Sequence, residues 1–233
     1  MRAVIFDWGG TLTPWVSLDH VAVWRRYADV LHPADPAEAQ RVAVAAAEAE
    51  RAAWLRVRDH HTAFTLEQVL ADAGSPYDDA ALEALRLGYD PATATDPEAA
   101  PLLRELRGRG LRTGVLSSTA WPAAWHEAVL RRDGVLDLFD GCVWSSDLEW
   151  TKPHPSAFLA AVEAVGVDDP ADCVFVGDRP YDDISGAKAV GMRAVLVPHS
   201  DIPEHQRVPV NVEPDAVIRS LSELPAVLDG WAS

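Results

Sequence analysis

Five short apolar runs punctuate the chain, at residues 3–6, 113–116, 141–144, 173–176 and 194–197, and the run at 141–144 is the least marked. They do not alternate polar with apolar positions, which is the pattern of parallel strands covered by helices on both faces. Between and before the later runs, residues 98–109, 122–132, 155–165 and 182–190 repeat their apolar positions at helical spacing. Strands and helices in alternation predict a doubly wound α/β fold with a parallel sheet. Ligands of such a sheet sit beyond the carboxyl ends of its strands.

Residues 14–95 follow another rule. They hold no convincing strand and are rich in alanine, glutamate and arginine at helical spacing, with helices expected near 18–31, 36–58, 65–73 and 78–88. Asp35-Pro36-Ala37-Glu38 supplies an N-cap, a proline at the first helical position and an acid in the first turn, and Thr65-Leu66-Glu67-Gln68 has the form of a capping box. The acidic, alanine-rich stretch at 37–53 reads as a solvated helix face. Residues 1–13 and 96–233 are therefore expected to form the catalytic core, and 14–95 an all-helical domain inserted into it. Residues 198–214, with four prolines, read as an irregular surface loop.

Composition narrows the function. Hydrophobic residues make up 48% of the 233 positions, enough for a sizeable core. Thirty-six acidic residues against 20 basic ones give a formal charge of −16, which argues against nucleic acid or an anionic membrane surface as partner. An anionic substrate then needs a local cationic site. Cys142 and Cys173 lie in apolar segments without metal-ligand spacing, as expected of reduced thiols. The apolar start is too short for a signal peptide or a membrane span, so the cytoplasm is the expected compartment. Nothing in the sequence sets the oligomeric state.

Four clusters carry chemistry, each at the end of an expected strand. Phe6-Asp7-Trp8-Gly9-Gly10-Thr11-Leu12 places an aspartate before two glycines; alone, Asp7 also fits a turn. Val115-Leu116-Ser117-Ser118-Thr119 ends a strand in hydroxyls that, with backbone N–H groups, can hold an anion, although small polar residues end many strands. Thr151-Lys152-Pro153-His154-Pro155 contains one of only two lysines, the other being Lys188. A lysine here serves either as a point charge between a carboxylate and a phosphoryl group or as a surface residue where a helix begins. Val176-Gly177-Asp178-Arg179-Pro180-Tyr181-Asp182-Asp183 gathers three acids, whose mutual repulsion calls for a hard cation such as Mg²⁺; N-capping accounts for one of them equally well. Arg179 either adds positive charge at the mouth of a site or pairs with Asp182 or Asp183.

In this order and at these strand ends, the four clusters resemble the haloacid dehalogenase-like (HAD) hydrolase superfamily over nearly the whole chain. The resemblance implies a Rossmann-like core and identifies the helical insertion with a C1-type cap. It implies that Asp7 is the nucleophile forming an aspartyl-phosphate, that Ser117 binds the transferring phosphoryl group, and that Lys152 orients the nucleophile and offsets transition-state charge. Phosphate contacts then fall to Trp8, Gly9, Ser117, Ser118 and Lys152. The Mg²⁺ ligands become Asp7, the Gly9 carbonyl and Asp178, with Asp183 acting through water or through the lysine. A small phosphorylated molecule is the implied substrate, its organic part meeting Trp15, His20, Trp24, Arg25 or Arg179. Tryptophans at helical spacing also serve as core.

One position departs from the family pattern. Its phosphatases usually read D-x-D-x-T, the second aspartate being the general acid and base, and here that position is Gly9. The carbonyl for the metal survives; what is missing is a contribution typically of about 10²–10⁴ in rate. Asp19, His20, a bound water or a substrate group are candidates to replace it. A catalytically impaired binding protein is the alternative from another class. The haloacid dehalogenase branch needs no metal, which leaves the acids of the fourth cluster without purpose, and it usually carries a tyrosine at position 9. The phosphonoacetaldehyde hydrolase branch needs a cap lysine, and 14–95 has none.

Overall fold

The computed structural model describes residues 1–198 and 208–232. Six parallel strands form one sheet: β1 (Ala3–Phe6), β2 (Arg112–Ser117), β3 (Gly141–Trp144), β4 (Cys173–Gly177), β5 (Arg193–Leu196) and β6 (Ala216–Val217), in the order β3-β2-β1-β4-β5-β6. The five expected strands are present within a residue or so of their predicted ends. The two-residue β6 is too short to leave a periodic signal.

The alternating faces of these buried strands divide the core. Val4, Phe6, Val115, Val174, Val176 and Val195 pack on one side against α5 (Ala99–Gly108), α6 (Ala123–Arg132) and α9 (Leu224–Ala232). Ala3, Ile5, Leu116, Phe175 and Ala194 face the other side, against α7 (Pro155–Ala164) and α8 (Gly186–Ala189). The chain steps from β1 outward to β2 and β3, then crosses back to β4 on the other flank of β1. The register pairs Phe6 with Val176, so this reversal sets Asp7 beside the end of β4. Such a reversal leaves a crevice at the strand ends.

The helix expected at 182–190 is split. Residues Pro180–Ser185 form one wide π-helical turn before α8 begins. π-turns are rare and cluster at functional sites; this one begins two residues after Asp178 and carries Asp182 and Asp183.

Between β1 and α5 lie four helices: α1 (His20–Leu31), α2 (Pro36–His60), α3 (Leu66–Asp72) and α4 (Asp79–Tyr89). Their starts follow the local chemistry. Asp35 accepts from the amides of Ala37 and Glu38, and Thr65 and Gln68 form the expected capping box. On α2 the buried positions Ala39, Val42, Ala43, Ala46, Glu50, Ala53 and Val57 make one stripe, and small alanines let α1 approach closely. The four helices share a core with Ala120 of the β2–α6 connection, while Trp121 of that connection and Trp125 of α6 pack against it.

Backbone hydrogen bonds fasten this insertion over the strand ends. Leu66 N–H donates to the Ala120 carbonyl (2.8 Å), Ala63 N–H to Glu149 (2.9 Å) and Thr151 N–H to His61 (2.9 Å), while Thr62 bridges Trp150 in antiparallel fashion. Of the loop expected at 198–214, residues 199–207 lie outside the described residues; 208–214 have no regular structure. No helix among the described residues is long and apolar enough to cross a membrane.

Candidate active site

Asp7, Ser117, Lys152, Asp178 and Asp183 are all buried, between 0% and 5% exposed, although every one is polar or charged. Burying such groups is costly unless they are paired. The pairing is specific: Lys152 Nζ donates to Asp7 Oδ1 at 2.6 Å and to Asp183 Oδ1 at 2.6 Å. Asp183 Oδ2 accepts the Arg179 amide at 2.9 Å. Gly177 makes room for this, since a Cβ there would collide with the Asp183 carboxylate.

Burial alone would lower the Lys152 ammonium, but the attraction of Asp183 and Asp7 outweighs it and holds its pKa above the ordinary lysine value. Asp183 moves upward too, driven first by burial, with Lys152 pulling the other way. The two upward shifts have different causes: burial opposes the charged form of each group, and only the lysine meets two opposite charges that outweigh it.

Each of Asp7, Asp178 and Asp183 offers a carboxylate oxygen, and these oxygens lie within 4.8 Å of one another. Three carboxylates against one ammonium leave excess negative charge in a buried space. An all-oxygen donor set of this kind fits a hard cation such as Mg²⁺ rather than a soft one. The metal expectation therefore passes the test of donor chemistry.

The loop after β1 is a tight turn. The Trp8 carbonyl accepts the amides of Leu12 and Thr13, both at 2.9 Å, and Gly10 turns the chain at φ 92°. The Trp8 and Gly9 amides are not consumed within this turn. The Ser117 hydroxyl, at the end of β2, makes no hydrogen bond among the described residues, whereas Ser118 Oγ accepts from Thr151 Oγ1 at 2.7 Å. The structure thus brings Asp7, Trp8, Gly9, Ser117, Ser118, Lys152, Asp178 and Asp183 to adjoining strand ends.

The residues expected to meet the substrate's organic part divide. Arg179 stacks over Trp15 at 4.8 Å from the ring centroid and lies 3.7 Å from Asp182, so Trp15 and Arg179 meet at the edge of the site. Trp24 is fully buried in the insertion's core, its indole donating to Glu50 at 2.8 Å. Arg25 is held by Asp29 and Gln40 on the insertion's surface. Neither is brought to the strand ends, because helical periodicity marks a buried face without telling which side a pocket lies on. His20 pairs with Glu50 at 3.4 Å, a hydrogen bond that raises its pKa, and Asp19 N-caps α1 through Ala22 N–H; these local partners occupy both candidates for the missing acid.

Two groups at the site went unrecognised in the sequence. His61 Nε2 lies 3.0 Å from the Tyr181 hydroxyl, on the turn that carries Asp182 and Asp183. Trp121 packs edge-on against Trp8 (6.0 Å), Tyr89 (4.7 Å) and Trp125 (5.6 Å), joining the loop after β1 to the insertion. His60-His61 at the end of a helix carries no local signal of a distant partner.

Comparison with known proteins agrees with this geometry. Phosphatase MT3486 of Mycobacterium tuberculosis (strain CDC 1551 / Oshkosh) is 36% identical over 148 residues, 64% of this chain and 62% of the relative. Hexitol phosphatase B of Escherichia coli (strain K12) is 35% identical over 129 residues, 55% of this chain and 54% of the relative. The chain thus spans less than two thirds of the length of these curated relatives. Among solved structures, an HAD phosphatase from Thermococcus onnurineus superposes with a TM-score of 0.68 at 27% identity, covering 99% of each chain. An L-2-haloacid dehalogenase from Xanthobacter autotrophicus reaches 0.64 at 23% identity over 99% of each, a likeness of fold alone. A family model described as haloacid dehalogenase-like hydrolase matches residues 1–191, and with the four strand-end clusters in place the chain belongs to that family.

Proposed function

We propose that this protein is a Mg²⁺-dependent phosphatase of a small phosphorylated metabolite, acting through an aspartyl-phosphate on Asp7. In this reading residues 1–13 and 96–233 are the catalytic core, and 14–95 form a cap that closes over it and keeps water from the site. The observation that carries the proposal is the buried Lys152 held between Asp7 and Asp183, beside Asp178.

The chemistry follows from what each residue can do. Lys152 occupies Asp7 Oδ1, which leaves Oδ2 as the attacking oxygen; no other hydrogen bond reaches Oδ2 among the described residues. Attack forms the Asp7–phosphorus bond as the ester oxygen departs, and water then cleaves the acyl phosphate to regenerate Asp7. Ser117 Oγ and the amides of Trp8 and Gly9 bind the non-bridging phosphoryl oxygens, and Lys152 offsets the charge that develops on them. Asp7, the Gly9 carbonyl and Asp178 would hold Mg²⁺, with Asp183 reaching it through Lys152 or water; when bound, the ion would neutralise phosphoryl charge.

The names of the relatives support phosphate esters of small polyols or aldehydes as the first substrates to try, since hexitol phosphatase B and a glyceraldehyde 3-phosphate phosphatase of Pyrococcus furiosus, 37% identical over 134 residues, are among them. Turnover of a panel of phosphate monoesters with Mg²⁺, lost in Asp7→Asn, is the expected result. No turnover across the panel favours the second reading, a binding protein that keeps the fold and to which Gly9 points; turnover that survives Asp7→Asn would contradict the aspartyl-phosphate route.

A further inference from the structure

Gly9 leaves the site without a side chain to protonate the leaving group. In-line displacement sends the departing oxygen away from the attacking Asp7 oxygen. With no carboxylate at position 9, the proton has to come from another element at the strand ends, and the helical insertion is docked there. We propose that His61, carried by the insertion and set against Tyr181, is the acid–base group of this site, standing in for the carboxylate that position 9 lacks. The proposal rests on the phosphatase reading above.

Three observations converge on His61. It ends α2 at φ 56°, the only non-glycine residue with positive φ among the described residues. Glycine or asparagine fills that position at less cost, and a bulkier residue there typically stores about 1–3 kcal/mol. Its backbone is also pinned to the segment leading to Lys152: the His61 carbonyl accepts the Thr151 amide, and Thr62 and Ala63 pair with Trp150 and Glu149. Finally, its half-buried ring lies 3.0 Å through Nε2 from Tyr181 Oη, on the turn that bears Asp182. The two rings lie 6.1 Å apart between centroids, tilted by 51°.

The roles of the two ring nitrogens follow. With Nε2–H donating to the Tyr181 oxygen, Nδ1 is the nitrogen that exchanges protons, and no hydrogen bond reaches it among the described residues. In the first step the Asp7–phosphorus bond forms, the phosphorus–oxygen ester bond breaks, and the leaving oxygen takes the Nδ1 proton, releasing a neutral alcohol. In the second, Nδ1 takes a proton from the water whose oxygen attacks the aspartyl-phosphate. Inorganic phosphate leaves, Asp7 is restored, and the ring is again imidazolium.

The test separates the two half-reactions with His61→Asn, a side chain that tolerates the left-handed conformation. Rapid-quench measurement with Mg²⁺ compares an alkyl phosphate with p-nitrophenyl phosphate, whose leaving group departs without a proton. Phosphoryl transfer from the alkyl ester should slow by about 10²–10⁴. The aryl ester should give a burst of p-nitrophenolate near the wild-type rate, followed by a stalled, phosphorylated Asp7. Tyr181→Phe, which leaves the His61 backbone untouched, should slow the alkyl ester more than the aryl one. Equal loss on both esters in the first half-reaction, or no loss on either, overturns the role of His61. Failure of the wild-type protein to turn over any phosphate ester would instead sink the phosphatase reading itself.

Discussion

Lys152 Nζ stands 2.6 Å from Asp7 Oδ1 and 2.6 Å from Asp183 Oδ1, so one buried ammonium joins the end of β1 to the turn after β4. The contact neutralises two buried acids and, in the proposed reaction, aims the nucleophile. Lys152→Met should lower kcat by about 10²–10³, the scale of losing one preorganised charge at a transition state. In Mg²⁺-free buffer it should also cost about 3–5 kcal/mol of stability, because Asp7 and Asp183 lose their counter-charge. Lys152→Arg should rescue little, since a planar fork does not replace a point charge. Paired kinetics and urea unfolding check both effects.

Gly9 is open to repair. No heavy atom outside its chain neighbours lies within 4 Å of the place a Cβ would occupy, and its φ is not left-handed, so a side chain fits there without strain. Gly9→Asp should raise turnover of alkyl phosphates about 10-fold or more, within the range a positioned acid contributes. The gain should be larger when combined with His61→Asn. A leaving-group series measured on all three variants checks this; unchanged slopes throughout would show that position 9 does not reach the departing oxygen.

His126 links stability to pH. Its ring is buried, stacked on Trp144 at 4.1 Å, with Nε2 2.9 Å from Thr119 Oγ1, and burial pushes its pKa down to about 3. The folded pKa thus lies below the unfolded value of about 6.5, so the unfolded chain binds the proton first. The stability that depends on a neutral ring is complete above about pH 6.5 and is lost as pH falls toward about 3. Between pH 7 and pH 5 this one group should cost about 2 kcal/mol. His126→Phe should remove that part of the slope, read from unfolding midpoints at the two pH values.

Metal binding can be read without turnover. Three buried carboxylates within 4.8 Å of one another should bind Mg²⁺ in the native state alone and so raise Tm, by the equivalent of about 2.7 kcal/mol at a concentration 100 times Kd. Asp178→Asn should lose most of that rise while keeping the Lys152 contacts. A Tm rise equal in wild type and Asp178→Asn would place the ion elsewhere.

The strand-end chemistry was legible because each residue is covalently fixed to its strand. An apolar run followed by Asp7, Ser117 or Asp178 must deliver that side chain to one edge of a parallel sheet, whatever the helices do. Helix starts at Asp35 and Thr65 were legible for a similar reason, since capping is settled within four residues. His61 was not legible: its nearness to Tyr181, 120 residues away, comes from docking the insertion on the 149–151 segment. Trp24 and Arg25 were expected to face the substrate and instead serve the insertion's own core and surface, because amphipathic spacing cannot say which neighbour a helix will meet. The split of 182–190 into a π-turn and a short helix accompanies the contact of Asp183 with Lys152, which comes from another part of the chain.

The most direct test of phosphatase chemistry through Asp7 is the mass of the protein after rapid acid quench from Mg²⁺ and p-nitrophenyl phosphate, with the adduct mapped to its peptide. A single phosphoryl group on the peptide containing Asp7, absent in Asp7→Asn along with turnover, is the expected result. Turnover by the wild-type protein with no phosphoryl group on that peptide, or undiminished turnover by Asp7→Asn, would contradict it.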